Sequence, residues 1–227
     1  MNKNIDIKVE KIFKSKNNNI VYIICEKKDF KFQAWQFCMF DLINLKRAYS
    51  IASSPLDNFL WFYIKKASET GMSNYLTQKI KVWDKIKISW PYGHMKLEEN
   101  KSTNYLFIST GSWFAPMISM YKTLVKSWNY NKIVNIFWER YKENTIDEIL
   151  NEIKSYENEN IKNIFYLSKE NINWFKNWYV QSSIDEALKF LWKNKLNVYL
   201  CGKPAMVDEN VKILKEKWIK NIYFEKY

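Results

Sequence analysis

The chain has 227 residues, 47% of them hydrophobic and 26% charged, a composition suited to a soluble globular protein with one large or two small domains. Its formal charge of +12 comes from 36 basic residues, of which only Arg47 and Arg140 are arginine; the lysines are scattered, which argues against nucleic-acid binding and favours an acidic protein partner steered by a positive field. No apolar run approaches the roughly 20 residues of a membrane span, the N-terminus lacks a signal-peptide core, and Cys25, Cys38, Cys201 and the single His94 form no metal-ligand pattern, so a reduced, cytoplasmic protein without a metal site is expected.

In chain order, residues 5–13, 20–26, 37–42, 49–52, 59–65 and 85–89 are short strand-like runs separated by Asn, Lys, Asp or Pro. Residues 73–80 suit one or two helical turns. Six strands at this spacing predict a small antiparallel barrel over 1–99. Residues 98–102 read as a linker.

From residue 103 strands alternate with helices. Strand-like 105–109, 133–137, 161–167, 198–200 and 219–224 are interleaved with helical stretches around 115–126 and 207–216, and with two more opened by Thr145-x-x-Glu148 and Ser183-x-x-Glu186, which read as capping boxes. This alternation predicts a five-stranded, parallel, doubly wound sheet over 103–227.

Arg47-Ala48-Tyr49-Ser50 is a compact set for holding a ligand. Arg47 offers a fork to phosphate, Tyr49 a flat face, and Ser50 a hydrogen bond at a ring edge. Alone, the same residues suit an exposed edge strand. The motifs that follow give the set its weight: Gly71-Met72-Ser73, Pro91-Tyr92-Gly93, Thr110-Gly111-Ser112-x-Phe114-Ala115-Pro116, Cys201-Gly202-Lys203-Pro204 and the final Glu225-Lys226-Tyr227. In this order and spacing the chain resembles, over its whole length, the ferredoxin–NADP⁺ reductase superfamily.

The resemblance implies an FAD-binding barrel over 1–99 and an NAD(P)-binding domain over 103–227. It implies that Arg47 holds the flavin pyrophosphate, Tyr49 stacks on the isoalloxazine and Ser50 reaches its N5 region, with Gly71, Met72 and Ser73 cradling the same pyrophosphate. Thr110, Gly111, Ser112 and Pro116 match the dinucleotide loop, where a helix start meets phosphate. Cys201 and Glu225 match the hydride-transfer site, Gly202 a cofactor-binding position next to it, and Tyr227 an aromatic that covers the flavin. Ser168, Lys169, Lys176, Tyr179 and Gln181 match residues that grip the 2′-phosphate of NADP, so NADP is expected over NAD, although Lys169 stands where the family often has Arg. The implied activity is electron transfer between NAD(P)H and a one-electron carrier such as ferredoxin or flavodoxin. The enzyme alternatives are a free-flavin or quinone reductase and an oxygenase reductase component; an iron–sulfur subunit is disfavoured for want of clustered cysteines.

One departure from the family runs through the chain. It contains 11 Trp and only 4 Gly, where an average composition gives roughly 16 Gly. Trp35, Trp83, Trp90, Trp113, Trp138, Trp178 and Trp218 fall at turns or where relatives carry glycine. The expectation is that UGA codons read as glycine in the source organism have been translated here as Trp. If these tryptophans are genuine, a nucleotide-binding protein without catalysis is the alternative.

Overall fold

The computed structural model describes residues 4–173, 175–176, 180–192 and 195–226, with the backbone alone at 180–182. The first sheet is formed by β1 (Asn4–Lys14), β2 (Ile20–Glu26), β3 (Phe37–Leu42), β4 (Leu45–Ser50), β5 (Phe59–Lys65) and β6 (Lys85–Ser89), with α1 (Gly71–Gln78) between the last two strands. Its order is β4-β3-β6-β1-β2-β5, antiparallel at every paired edge. Along β1, Ile7 and Val9 are fully buried and Asp6, Lys8 and Glu10 are not, the period of two that puts alternate side chains on one face. The sheet curls until Ile51 bridges Phe62 and the Ala52 N–H donates to the Trp61 carbonyl at 2.7 Å. This is the expected six-stranded barrel, with its closure limited to that bridge.

The fourth strand begins earlier than the expected 49–52. Leu42 pairs directly with Leu45, and the two residues between them, Ile43 and Asn44, have φ of 50° and 59°. That is the backbone of a two-residue hairpin turn, which usually advertises itself as Asn-Gly. An Ile in the first turn position hides it.

The second sheet contains β7 (Asn104–Thr110), β8 (Ile133–Glu139), β9 (Ile161–Leu167), β10 (Leu196–Gly202) and β11 (Asn221–Lys226), all parallel, in the order β11-β10-β7-β8-β9. This matches the expected doubly wound domain. β8 and β10 are buried along their whole length, as parallel strands covered on both faces are. α2 (Phe114–Ser127) and α3 (Asp147–Ser155) pack on one face through Phe107, Phe137 and Phe165. α4 (Val180–Leu191) and α5 (Pro204–Glu216) pack on the other through Leu106, Ile136 and Val198.

Neither capping box forms. α3 is capped at Ile146 without a side-chain bond, while the Thr145 hydroxyl donates to the Lys142 carbonyl at 2.8 Å. Ser183 lies three residues inside α4. Thr145 thus closes the turn before α3, and Ser183 is buried within α4.

The α2 face is shared with the barrel: Tyr22, Trp35, Ala52 and Tyr63 belong to the same core cluster as Phe107 and Tyr121. A polar seam fastens α2 to the chain after β4. The Ser119 hydroxyl donates to the Ser53 carbonyl at 2.6 Å, and Thr123 Oγ1 lies 3.0 Å from Ser54 Oγ. Lys122, fully buried, reaches Glu152 at 2.6 Å and Asp57 at 3.4 Å, with its ammonium 3.3 Å from the Trp61 ring centroid.

Several tryptophans stand where an L side chain is strained. Of the 11, Trp174 and Trp178 lie outside the described residues; of the other nine, Trp35, Trp83, Trp128, Trp192 and Trp218 have positive φ, from 55° to 82°. Trp128, Trp192 and Trp218 each follow a helix. At Trp218 the Ile219 N–H donates to the Leu214 carbonyl at 3.0 Å, the closing bond of a motif that takes glycine in its left-handed position. Trp83, Trp128, Trp192 and Trp218 are also 64–86% exposed. By contrast Trp113 has φ −70° and Trp138 lies within β8, so the backbone strain expected of glycine sites is not general to all of them.

Candidate functional site

The strand order reverses at β7: α2 leads to β8 on one side, and β10 lies on the other. In such sheets ligands bind beyond the carboxyl ends of the strands at this switch point. The residues there are Ser109, Thr110 and Gly111 from β7 and its extension, Glu139 from β8, Cys201 and Gly202 from β10, and Glu225 from β11. Cys201 sits level with Ser109 on one side and Glu225 on the other.

Gly111, at φ 55°, turns the chain into a single 3-10 turn, Gly111–Trp113, and then into α2. Gly202 packs so closely on this turn that a Cβ would lie 2.9 Å from Thr110 Oγ1, and it would also meet Met206 Cε of α5. The Ser109 hydroxyl is buried without a hydrogen-bond partner among the described residues. The site thus holds an orphaned polar atom beside a helix start, with Pro116 buried inside its first turn. Ser112 and Trp113 are half-buried. Burial pushes the Cys201 thiol well above its ordinary range, with the Glu225 carboxylate adding to the effect, so it is a neutral thiol at physiological pH.

On the barrel, Arg47, Tyr49 and Ser50 lie on β4, at the edge of the sheet. Arg47 is exposed, and its Nη1 donates to the Lys46 carbonyl at 2.8 Å. Tyr49 is half-buried, its ring centroid 4.8 Å from that of Phe40. Burial raises its hydroxyl to about 12 against the opposing pull of Arg47, so it is a neutral donor. Ser50 pairs with Phe37, which in turn bridges Tyr92 next to Gly93. Gly71 opens α1 at φ 82°, with no atom within 4 Å of a Cβ built on it, so the helix start faces open space. Met72 is buried, and the Ser73 hydroxyl accepts from the Ala67 N–H at 3.1 Å.

The third group lies at the end of β9. Ser168 and Lys169 are exposed, their N–H groups donating to the Glu139 and Arg140 carbonyls at 3.0 and 3.1 Å. Lys176 pairs alongside Tyr166 and forms an ion pair with Glu186. Burial would raise the Glu186 carboxyl, but hydrogen bonds from Lys162 and Lys176 outweigh it and hold the group below its ordinary value. Tyr179, Tyr227 and the side chain of Gln181 lie outside the described residues.

A family model described as an oxidoreductase NAD-binding domain matches residues 107–212, which span the switch point and the third group. The flavodoxin/ferredoxin–NADP reductase of Buchnera aphidicola is 28% identical, with 94% of this chain and 91% of that protein covered. Along nearly its whole length the chain is therefore similar to a ferredoxin–NADP reductase. The phenol hydroxylase P5 protein of Acinetobacter pittii is 24% identical over 88% of this chain, which spans only 59% of it. A ferredoxin NADP⁺ reductase from Neisseria gonorrhoeae, solved with FAD and NADP, superposes with a TM-score of 0.83 at 17% identity, covering 100% of this chain and 99% of that one.

Within this fold, two residues stand in the cleft that sequence reasoning gave no role. Lys65, the last residue of β5, and Glu139, the last of β8, are 3.5 Å apart across the domain boundary, beside Gly111. Glu139 is the unassigned middle residue of Trp138-Glu139-Arg140, and a lysine among 34 carries no signal until the fold sets it opposite a carboxylate. Among the described residues no cluster of potential metal ligands occurs, and no helix is long and apolar enough to cross a membrane.

Proposed function

We propose that this chain is a flavin-dependent oxidoreductase that passes electrons between a nicotinamide dinucleotide and an acidic one-electron protein carrier of the ferredoxin or flavodoxin kind. The observation that carries the reading is the switch point, where a positive-φ glycine, a helix start and an unpartnered buried hydroxyl meet beside Cys201. Residues 1–99 form the FAD-binding unit and residues 103–227 the NAD(P)-binding unit. Arg47 and the start of α1 at Gly71, Met72 and Ser73 hold the flavin pyrophosphate, while Tyr49 and Ser50 face its ring. Thr110, Gly111, Ser112 and Pro116 hold the dinucleotide phosphates. Ser50, Cys201, Glu225 and Tyr227 line the reacting centre.

A bound flavin supplies the exchange between a two-electron donor and a one-electron acceptor. The chain's own contribution is placement and exclusion of water. The neutral Cys201 thiol puts no charge beside the nicotinamide, and the neutral Tyr49 hydroxyl keeps its proton.

NADP is preferred through Ser168, Lys169, Lys176, Tyr179 and Gln181, with Arg140 adding a cation next to Lys169, while Gly202 lies in the cofactor site at the switch point. A relative named as an oxygenase electron transfer component, from Pseudomonas putida, supports a second reading, that of a reductase component.

The native polypeptide carries glycine at the strained tryptophans. Five left-handed tryptophans, four of them largely exposed, support this, since each costs of order 1–2 kcal/mol relative to glycine. Trp90, Trp113 and Trp138 join the same set on the resemblance alone. The cytoplasm is the compartment that the reduced, unpaired cysteines suit.

The test is a reductase assay on protein in which these tryptophans are changed to glycine, with NADPH and NADH against ferredoxin, flavodoxin and free flavin. A protein carrier turned over with NADPH supports the first reading, and turnover of free flavin alone supports a flavin reductase. Lys169→Ala should lower the NADPH/NADH ratio of kcat/KM; an unmoved ratio removes that phosphate site.

A further inference from the structure

The ion pair between Lys65 and Glu139 occupies the place where the nucleotide loop meets the barrel. Glu139 has 3% of its side chain exposed and lies 3.5 Å from Lys65 Nζ. Its Oε1 accepts from the Arg140 N–H at 2.8 Å and from Asn144 Nδ2 at 3.5 Å. Its Oε2 comes within 3.6 Å of a Cβ built on Gly111, and Lys65 Nζ within 3.9 Å. Asn144 is itself tied to the barrel, accepting from Asn17 Nδ2 at 2.7 Å through its side chain and from the Tyr63 hydroxyl at 3.5 Å through its carbonyl.

A buried carboxylate is thus fixed at the turn proposed to receive phosphate. Like charge at this distance opposes an anion, and the opposition is least screened where solvent is excluded. The same carboxylate holds Lys65, a cation 37% exposed and on a flexible stem, within reach of the same turn.

We propose that Glu139 is an internal counter-anion of the dinucleotide site. Without nucleotide it holds Lys65 across the cleft and ties the two domains together. An incoming pyrophosphate takes Lys65 over, so the chain exchanges an interdomain contact for a ligand contact. Glu139 therefore lowers the affinity for dinucleotide below what the loop and Lys65 would otherwise reach. This assignment rests on the reading of residues 110–116 as a dinucleotide loop.

The test is calorimetric titration of NADP⁺, which binds without turnover, into the 227-residue protein with the Trp113→Gly change. Glu139→Gln keeps the oxygen that accepts from Arg140 and Asn144 and removes only the charge. It should tighten binding about tenfold, equivalent to about 1.4 kcal/mol, while Lys65→Gln should weaken it by a similar factor. In a Lys65→Gln background the gain from Glu139→Gln should shrink, because no cation remains to be released. Glu139→Ala, run in parallel, carries the same expectation should the Gln variant fail to fold. A Kd within twofold of the parent for both Glu139 variants overturns the counter-anion assignment while leaving the dinucleotide loop standing. If neither the parent nor any variant binds NADP⁺, the loop reading fails and this assignment falls with it.

Discussion

Lys122→Met tests the seam that joins α2 to the barrel. Lys122 is fully buried, bridging Asp57 and Glu152 with its ammonium against Trp61. Removing one member of a buried ion pair costs about 3–5 kcal/mol, because the other is left uncompensated. Two features place this case near the bottom of that range. Asp57 keeps Lys126 as a partner, and Glu152, 25% exposed, can rehydrate. The expected loss is therefore about 3 kcal/mol, read from urea unfolding as a shift in midpoint at unchanged slope.

The same variant makes a pH prediction whose sign follows from burial. Desolvation lowers the Lys122 pKa below its ordinary 10.5, with Glu152 and Asp57 pulling it back up. Across the interval between the lowered folded value and 10.5 the unfolded chain binds more protons, so the wild-type stability rises with pH relative to Lys122→Met. The gap between the two proteins should widen on the alkaline side of neutrality. A midpoint loss worth under about 1 kcal/mol, or a gap that narrows as pH rises, would refute the assignment of Lys122 as a charged buried hub.

Trp218→Gly should stabilise the chain by about 1 kcal/mol, since the site has φ 64° and an indole 86% exposed that packs on little; thermal melts of the two proteins compare them, and a destabilised variant would show that the indole is needed. Tyr49→Ala and Arg47→Ala should each weaken FAD retention, and Arg47→Ala should also flatten its salt dependence, because a charge-assisted contact is screened. Ultrafiltration of added FAD at two ionic strengths measures both, and unchanged retention in both variants removes the motif from the site.

Much of the fold was legible because each sheet follows one rule. Alternation along β1 and the buried runs of β7, β8 and β10 announce a barrel and a parallel sheet, and the latter brings Thr110, Gly111 and Cys201 to one switch point. What escaped was set by partners distant in sequence. The start of β4 was hidden by a hairpin turn carrying Ile43 and Asn44 instead of glycine. The Thr145 and Ser183 caps matched a local pattern, but α3 starts one residue later than that pattern needs and α4 begins before Ser183. Lys65 and Glu139 are 74 residues apart and become a pair only when the domains dock. The tryptophan anomaly was visible in composition, but Trp128 and Trp192 needed backbone angles to join it, while Trp113 and Trp138 turned out to have ordinary ones.

Under the proposed function, the barrel holds a flavin that is reduced by a nicotinamide dinucleotide bound to the second domain. The most direct test of this is anaerobic titration of NADPH into the FAD-loaded protein carrying Trp113→Gly, followed by the visible absorption of the flavin. The expected result is a yellow protein whose visible flavin band bleaches on adding NADPH, with the chain that retains Trp113 responding far more weakly. A protein that takes up no FAD, or one whose flavin band stays intact under excess NADPH, would contradict it.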